Sequence, residues 1–420
     1  MESTKIHNKA SKYINVLFYS TEPYIATFIF VTLFEIDAGA LKALFQISTY
    51  LLLILLLGSQ LKKYLYILIQ DKALVIMIIW VLCSYFWSAS PGDTLNESKT
   101  IIRSWLFAAY LTNKYSCQGL FRVMASFFGI TILLTIFISL FAIYTHHIDY
   151  VFPFLESSDV RVFKGFFLHK QELGRVMNLS AMVFAFNIVG NKKVNYYNIS
   201  GFLISLLFIY FSHSTTSIIG TLISLSFIPL IHLVRIGYKS RLIFYLTIIV
   251  IFGSLMMLIF SNLEYFVVEL LNKPPDFNGR FEIWQMSIDA ILKRPLLGYG
   301  YSGFWTSEYG NYIVENSWGK IANIDRFHAH NGFIDLCLQL GFIGLGIFII
   351  NLISTVKRTI NLLFLTKNLD FLWMIAFITV IFIFHLSEKL TFISLNTTCS
   401  IFMSISFSSI ITKQRLRRAS

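Results

Sequence analysis

The sequence predicts an all-α, polytopic membrane protein of about twelve transmembrane helices, and composition, block length and block texture carry that reading. Apolar residues fill 56% of the 420 positions and charged residues 13%, about half the charged share of a soluble globular domain. Apolar blocks of about twenty residues recur along the chain, the length a helix needs to cross about 30 Å of hydrocarbon. The blocks are continuous, whereas a membrane β-barrel alternates over strands of about ten residues. The formal charge of +12 does not point to nucleic acid. Lys and Arg gather in short loops and at the C-terminus, where they read as topology signals.

Taken in order, the spans fall at 14–36, 41–58, 65–87, 98–113, 119–145, 170–190, 196–212, 215–235, 240–262, 331–356, 369–387 and 391–412. Lys5, Lys9 and Lys12 precede the first, and no small-residue cleavage site follows it, so it reads as an uncleaved helix. An even number of spans puts both termini on one side. That side holds SQLKKY, TNKYSCQG, GNKKVNYYN, VRIGYKSR, VKRT with LTKN, and the tail KQRLRR, each basic, so it is cytoplasmic. SASPGDTLNE, residues 146–169, the long loop 263–330 and HLSEK then lie outside, with most of the acidic residues. We expect one membrane domain over 1–420, with a partly helical external cap at 263–330 and a smaller external loop at 146–169. Cys83, Cys117, Cys337 and Cys399 sit in or beside apolar blocks without metal-ligand spacing and read as small buried residues.

Within the cap, RFEIWQMSIDAILK predicts a short amphipathic helix ended by Pro295. Phe281, Trp284, Ile288 and Ile291 share one face; Glu282, Gln285, Asp289 and Lys293 share the other. Such a helix either lies in the interface with its apolar face toward lipid or plugs the bundle.

Candidate chemistry starts with charges at bilayer depth, which are costly unless they face protein or water. Arg103, Arg175, His213 and Glu388 are of this kind, although each is near enough to a span end to snorkel. A second feature is Arg161, Lys164, His169, Lys170 and Arg175, a basic cluster on the external side. Recognition of phosphate or diphosphate explains it, since Arg presents a fork of donors and Lys a point charge; pairing with Glu156, Asp159 and Glu172 explains it equally. A third is DRFHAHNGFID. On a helix His328 and His330 would diverge, so a shared ligand requires extended backbone. Without HExxH or an acidic partner at ligand spacing, metal is not expected. One imidazole beside Asn331 and Asp335 suits removal of a hydroxyl proton near neutral pH, or it caps the helix. Gly298–Gly303 spells GxGxxG but follows no strand, so it is not a dinucleotide site. Its glycines let Tyr299, Tyr301, Phe304 and Trp305 cluster, as a platform for sugar rings or as an interfacial belt.

Together these segments resemble the O-antigen ligase superfamily, which also holds O-antigen and exopolysaccharide polymerases. YFWSASPGDTLNESK is similar to the family's tryptophan–serine loop and KGFFLHKQELG to its histidine–lysine element, with Gln171 where asparagine is usual. GRFEIW, RPLLGYGYSGFW and HAHNGFIDLCLQLGFIGLGIF resemble its most diagnostic region; FSHSTTSIIG and HLSEKL also have counterparts. The resemblance implies metal-independent, inverting glycosyl transfer at the periplasmic face of a bacterial inner membrane, with no cofactor. The donor would be a glycan on undecaprenyl diphosphate, and the acceptor a sugar hydroxyl on another lipid-linked repeat or on lipid A core. A polysaccharide polymerase is slightly favoured over a lipopolysaccharide ligase. Membrane lipid and a chain-length regulator protein are the other expected partners. His330 would ready the hydroxyl and Arg280 the leaving diphosphate, with Arg161, His169, Lys170, Arg175 and Arg294 on the diphosphate and Trp305 and Asn331 on sugar. His328 has no counterpart and reads as a bystander. The alternative function is a transporter or flippase of lipid-linked oligosaccharide, although the internal repeats and matched broken helices of transporters are not visible.

Overall fold

The computed structural model describes residues 26, 28–30, 40–58, 60–115, 117–155, 158–190, 195–231, 234, 243, 280–317, 320, 327–387 and 397–419. Nearly all of them are helical. In chain order the helices are α1 (Ala40–Gly58), α2 (Leu61–Leu68), α3 (Lys72–Cys83), α4 (Pro91–Lys114), α5 (Cys117–Tyr144) and the short α6 (Ile148–Val151). After them come α7 (Lys170–Gly190), α8 (Tyr196–Ser212), α9 (Thr215–Ser226), α10 (Arg280–Lys293), α11 (Glu308–Glu315), α12 (Gly332–Thr366), α13 (Asp370–Ser387) and α14 (Thr397–Ala419). Among the described helices, four are long and apolar enough to cross a membrane: Gly119–Tyr144 within α5, then α7, α12 and α13. The spans expected at 14–36 and 240–262 fall almost wholly outside the described residues. Between α6 and α7 lies an element that an all-helical reading omits, an antiparallel pair of β1 (Phe154–Leu155) with β2 (Ser158–Arg161).

The span expected at 65–87 is two helices. α2 is bent by 105° from the end of α1, and Asp71 restarts the chain by accepting the Leu74 amide at 3.1 Å as the N-cap of α3. Its other oxygen accepts from Asn351 Nδ2 at 3.0 Å, from Arg358 Nη2 at 3.1 Å and from the Ser406 hydroxyl. Arg358 also donates to Ser409 and Thr355. Arg358, expected as a loop topology signal, thus lies inside α12, which runs on to Thr366. The pair ties α3, α12 and α14 together. Asp71→Ala is expected to destabilise the fold by about 3–5 kcal/mol, because it strands a buried guanidinium. Asp71→Ala with Arg358→Met should recover part of that loss; denaturant titration in detergent reads both.

The span expected at 331–356 is longer and broken. α12 has 35 residues with Gly341 at φ 66° and ψ −174° inside it. The carbonyls of Leu338 and Gln339 accept from the amides of Tyr299 and Gly300, and that of Leu340 from the Trp80 indole. Beyond the break, Phe342 N donates to Pro295 O at 2.7 Å and Ile343 N to Leu296 O at 3.4 Å. The GxGxxG segment therefore supplies the backbone partners that a helix interrupted at membrane depth must find. The loop after α3 locks it in place through Trp87 Nε1 to Leu297 O, Thr94 Oγ1 to Tyr301 O, and Tyr301 N to Ser84 Oγ. A Cβ at Gly341 would lie 2.1 Å from Leu296 O. Gly341→Ala combines that clash with a positive φ, and is expected to destabilise by well over the typical point-mutation cost of about 1 kcal/mol, read as a lower thermal midpoint.

α10 forms where expected, but its inward face is different. Ile283, Ser287, Ala290 and Ile291 are buried, whereas Phe281 and Ile288 of the expected apolar face are exposed. The polar face of Glu282, Gln285, Asp289 and Lys293 is exposed as expected. α10 packs on α12; α7 packs on α8 and α9, and α13 joins α9 to α12. Close contact of α7 with α9 relies on Gly174 against Ser217 and on Asn178 Nδ2 donating to Thr221 Oγ1 at 2.7 Å, small residues and interhelical hydrogen bonds of the kind that bring membrane helices together.

Candidate active site

The turn from Phe327 to Asn331, just before α12, is built to present imidazoles. Asn331 caps α12, its side-chain oxygen accepting the Phe333 and Ile334 amides at 3.0 and 3.3 Å. Ala329 is pinned on both sides: its carbonyl accepts the Trp284 indole at 2.8 Å, and its amide donates to Asp335 Oδ1 at 3.1 Å. Trp305 Nε1 donates to the same oxygen at 2.9 Å. Between these anchors His330 takes φ 52°. That conformation turns its ring back onto His328, with ring centroids 4.1 Å apart. A left-handed residue at 330, rather than the extended backbone expected, thus brings the two imidazole rings together.

α13 supports this turn from below. The His385 ring lies 4.6 Å from the Phe333 ring, and a Cβ at Gly332 would come within 2.3 Å of the His385 ring, so the first residue of α12 is a glycine in close contact with α13. Two residues on, the Ser387 carbonyl accepts Arg280 Nη1 at 3.1 Å. Arg280 opens α10, so the end of α13 fixes both the arginine and the histidine turn. His169 arrives from a third direction, its carbonyl accepting the Glu172 and Leu173 amides at the start of α7. Burial, then the fields of His328, Arg280 and His169, hold His330 far below its ordinary pKa of 6.5, at about 2. Its Nδ1 is enclosed. A neutral imidazole thus lies in the field of the Arg280 guanidinium, beside two further imidazoles, an arrangement able to take a proton and to attract an anion.

The remaining residues predicted for the site are placed as follows. Arg161 forms an ion pair with Asp149 at 2.8 Å and lies over the Phe154 ring at 4.4 Å. Arg294 donates to Trp87 O at 3.4 Å and lies over Tyr299. Lys170 is the first residue of α7, next to His169, and Arg175 is buried farther along it. Asn331 and Trp305 serve the scaffold of the turn through their cap and Asp335 bonds. Tyr299 and Phe304 are fully buried, packed with Trp305, Phe327 and Ile283 as a second core, so they offer no open platform to a sugar. Arg103 is fully buried in α4 with its guanidinium 5.4 Å from the Tyr50 ring. His213 closes α8 in a left-handed conformation. Glu388, Glu156 and the Asp159 side chain lie outside what is described. Among the described residues no group of three or more His, Cys, Asp or Glu is arranged to hold a metal ion.

A predominantly helical membrane protein with an imidazole–arginine cluster at the ends of its helices is the class that fold and site define. Residues 200–349 match the family model described as O-antigen ligase. The chain is 24% identical over 275 residues to "Exopolysaccharide production protein ExoQ" of Rhizobium meliloti (strain 1021), covering 64% of this chain and 60% of that protein, less than two thirds of its length. It is 24% identical over 299 residues to a "Putative polysaccharide ligase" of Rickettsia prowazekii (strain Madrid E), and 25% over 304 residues to one of Rickettsia typhi (strain ATCC VR-144 / Wilmington), each covering 69% of both chains. Over residues 200–349 the chain is thus similar to the O-antigen ligase family, and over about two thirds of its length to the exopolysaccharide-production and polysaccharide-ligase relatives.

Proposed function

We propose that this chain is a glycosyltransferase that moves a glycan from undecaprenyl diphosphate to a sugar hydroxyl at the periplasmic face of the bacterial inner membrane. The observation that carries this reading is the convergence of His328 and His330, Arg280 and His169, from three separate stretches of chain, on one cluster. In the reaction, the acceptor oxygen attacks the anomeric carbon while the bond from that carbon to the phosphate oxygen breaks, and the sugar inverts. The hydroxyl proton passes to His330, at Nε2 because Nδ1 is enclosed. The electron pair leaves with the diphosphate, where Arg280 meets the growing charge and His169 and Lys170 add to it. A base held at so low a pKa is weak in the empty site. The diphosphate supplies the correction, because its negative charge offsets Arg280, His169 and His328 and raises the basicity of His330 only when donor is bound.

The same reading takes 1–420 as one membrane domain of twelve spans, both termini cytoplasmic, with 263–330 and 146–169 on the periplasmic side. Arg161 and Arg294, held by Asp149 and Trp87, become peripheral contacts for the glycan. The histidine–lysine element combined with GYGYSGFW favours a polysaccharide polymerase slightly over a lipopolysaccharide ligase, and one relative's name refers to exopolysaccharide production. The test is purified protein in detergent with a lipid-linked glycan and an acceptor. Release of polyprenyl diphosphate with a longer glycan supports transfer. Movement of intact lipid-linked glycan across vesicles without bond cleavage would make the chain a carrier instead.

A further inference from the structure

We infer that α10 is a membrane-contact helix, its outer apolar sector resting against phospholipid acyl chains of the leaflet on the site's side. At about 100° per residue its side chains divide into three sectors. Ile283, Ser287, Ala290 and Ile291 face protein. Glu282, Gln285, Asp289 and Lys293 form an exposed polar sector. Between them lie Phe281, Ile288 and Leu292, 50%, 49% and 66% exposed, and the line continues through Leu296 at 61%. A cap helix surrounded by water needs two sectors, one apolar toward protein and one polar. A third, apolar and about half or more exposed at Ile288 and Leu292, implies a third medium.

Continuity with the lipid-facing surface of α12 identifies that medium. Pro295 and Leu296 accept the amides of Phe342 and Ile343, which lie ten or more residues inside a helix long and apolar enough to cross the membrane. Phe342 and Ile343 are themselves exposed, as are Ile350 and Ile353 farther along the same helix. The end of α10 is thus at the depth of a spanning helix, and the Leu292–Leu296 stripe extends that helix's outer surface. Lys293 and Arg294 at the end of the stripe match the basic flank of an interfacial helix, which sinks about 5–10 Å into the headgroup and acyl boundary. Arg280, at the other end of α10, is thereby presented at headgroup level, where a lipid-borne anion arrives.

The test places the photoreactive residue p-benzoylphenylalanine at 288 and, separately, at 292 in the full chain, irradiated in native membranes, with position 350 on α12 as lipid reference and 285 as polar reference. Phospholipid adducts at 288 and 292 in yields within about twofold of that at 350, and few at 285, are expected. A chain–chain dimer at 288 or 292 would overturn the inference in favour of a second copy. A polyprenyl adduct would overturn it in favour of the donor's own tail. Absence of any adduct, with 350 labelling normally, would place the sector in water.

Discussion

His330→Ala is expected to reduce turnover by about 10²–10⁴-fold, the contribution of a positioned general base, while leaving the protein folded in the membrane and still able to bind donor. The turn itself is held by Asn331, Ala329 and Asp335 rather than by the His330 ring, so removing the ring should spare the scaffold. The pH dependence follows from the sign of the shift. With its pKa lowered to about 2, His330 in the empty site stays neutral as pH falls through 6.5. kcat/KM, which reports the free enzyme, should therefore show no loss attributable to His330 between about pH 5 and 7. In the donor complex the diphosphate raises that pKa, so any acidic limb belongs to kcat. A wild-type kcat/KM that drops tenfold per unit below pH 6.5, lost in a His330 variant retaining residual activity, would contradict this.

Arg280→Ala is expected to cost about 10²–10³-fold in kcat, comparable to removing a preorganised donor aimed at developing charge, together with weaker donor binding. Arg280→Lys should lose less but not recover fully. A lysine keeps the charge, yet it cannot both bond Ser387 O as Arg280 does and present a planar fork to two phosphates. The two variants separate the roles. His330→Ala should bind labelled polyprenyl diphosphate like wild type, whereas Arg280→Ala should bind it weakly. Equal binding by both would remove Arg280 from the diphosphate.

Much of the fold is legible in residue patterns because membrane spans depend on length and hydropathy alone. What escapes is where one residue redirects the backbone. Gly341 looks like any small residue in an apolar run, yet its break depends on Pro295 and Leu296, forty-odd positions away. Asp71 sits in a block apolar enough to hide it, and its meaning appears only beside Arg358. In the site, His330 and Arg280 are picked out by the resemblance to the family's elements, not by residue type alone. His328 is discounted because helical spacing separates it from His330, and only the left-handed conformation at His330 brings the rings together. Trp305 and Asn331 look available for sugar because their hydrogen bonds to Asp335 and to the α12 amides are tertiary or conformational facts.

The most direct test is an experimental structure of the full chain in lipid nanodiscs with a polyprenyl-diphosphate glycan bound. Diphosphate density against Arg280 and His169, with the sugar's anomeric carbon open toward His330, is the expected result. Diphosphate seated at Arg161 or Arg294, with nothing from the donor within reach of His330, would contradict the account.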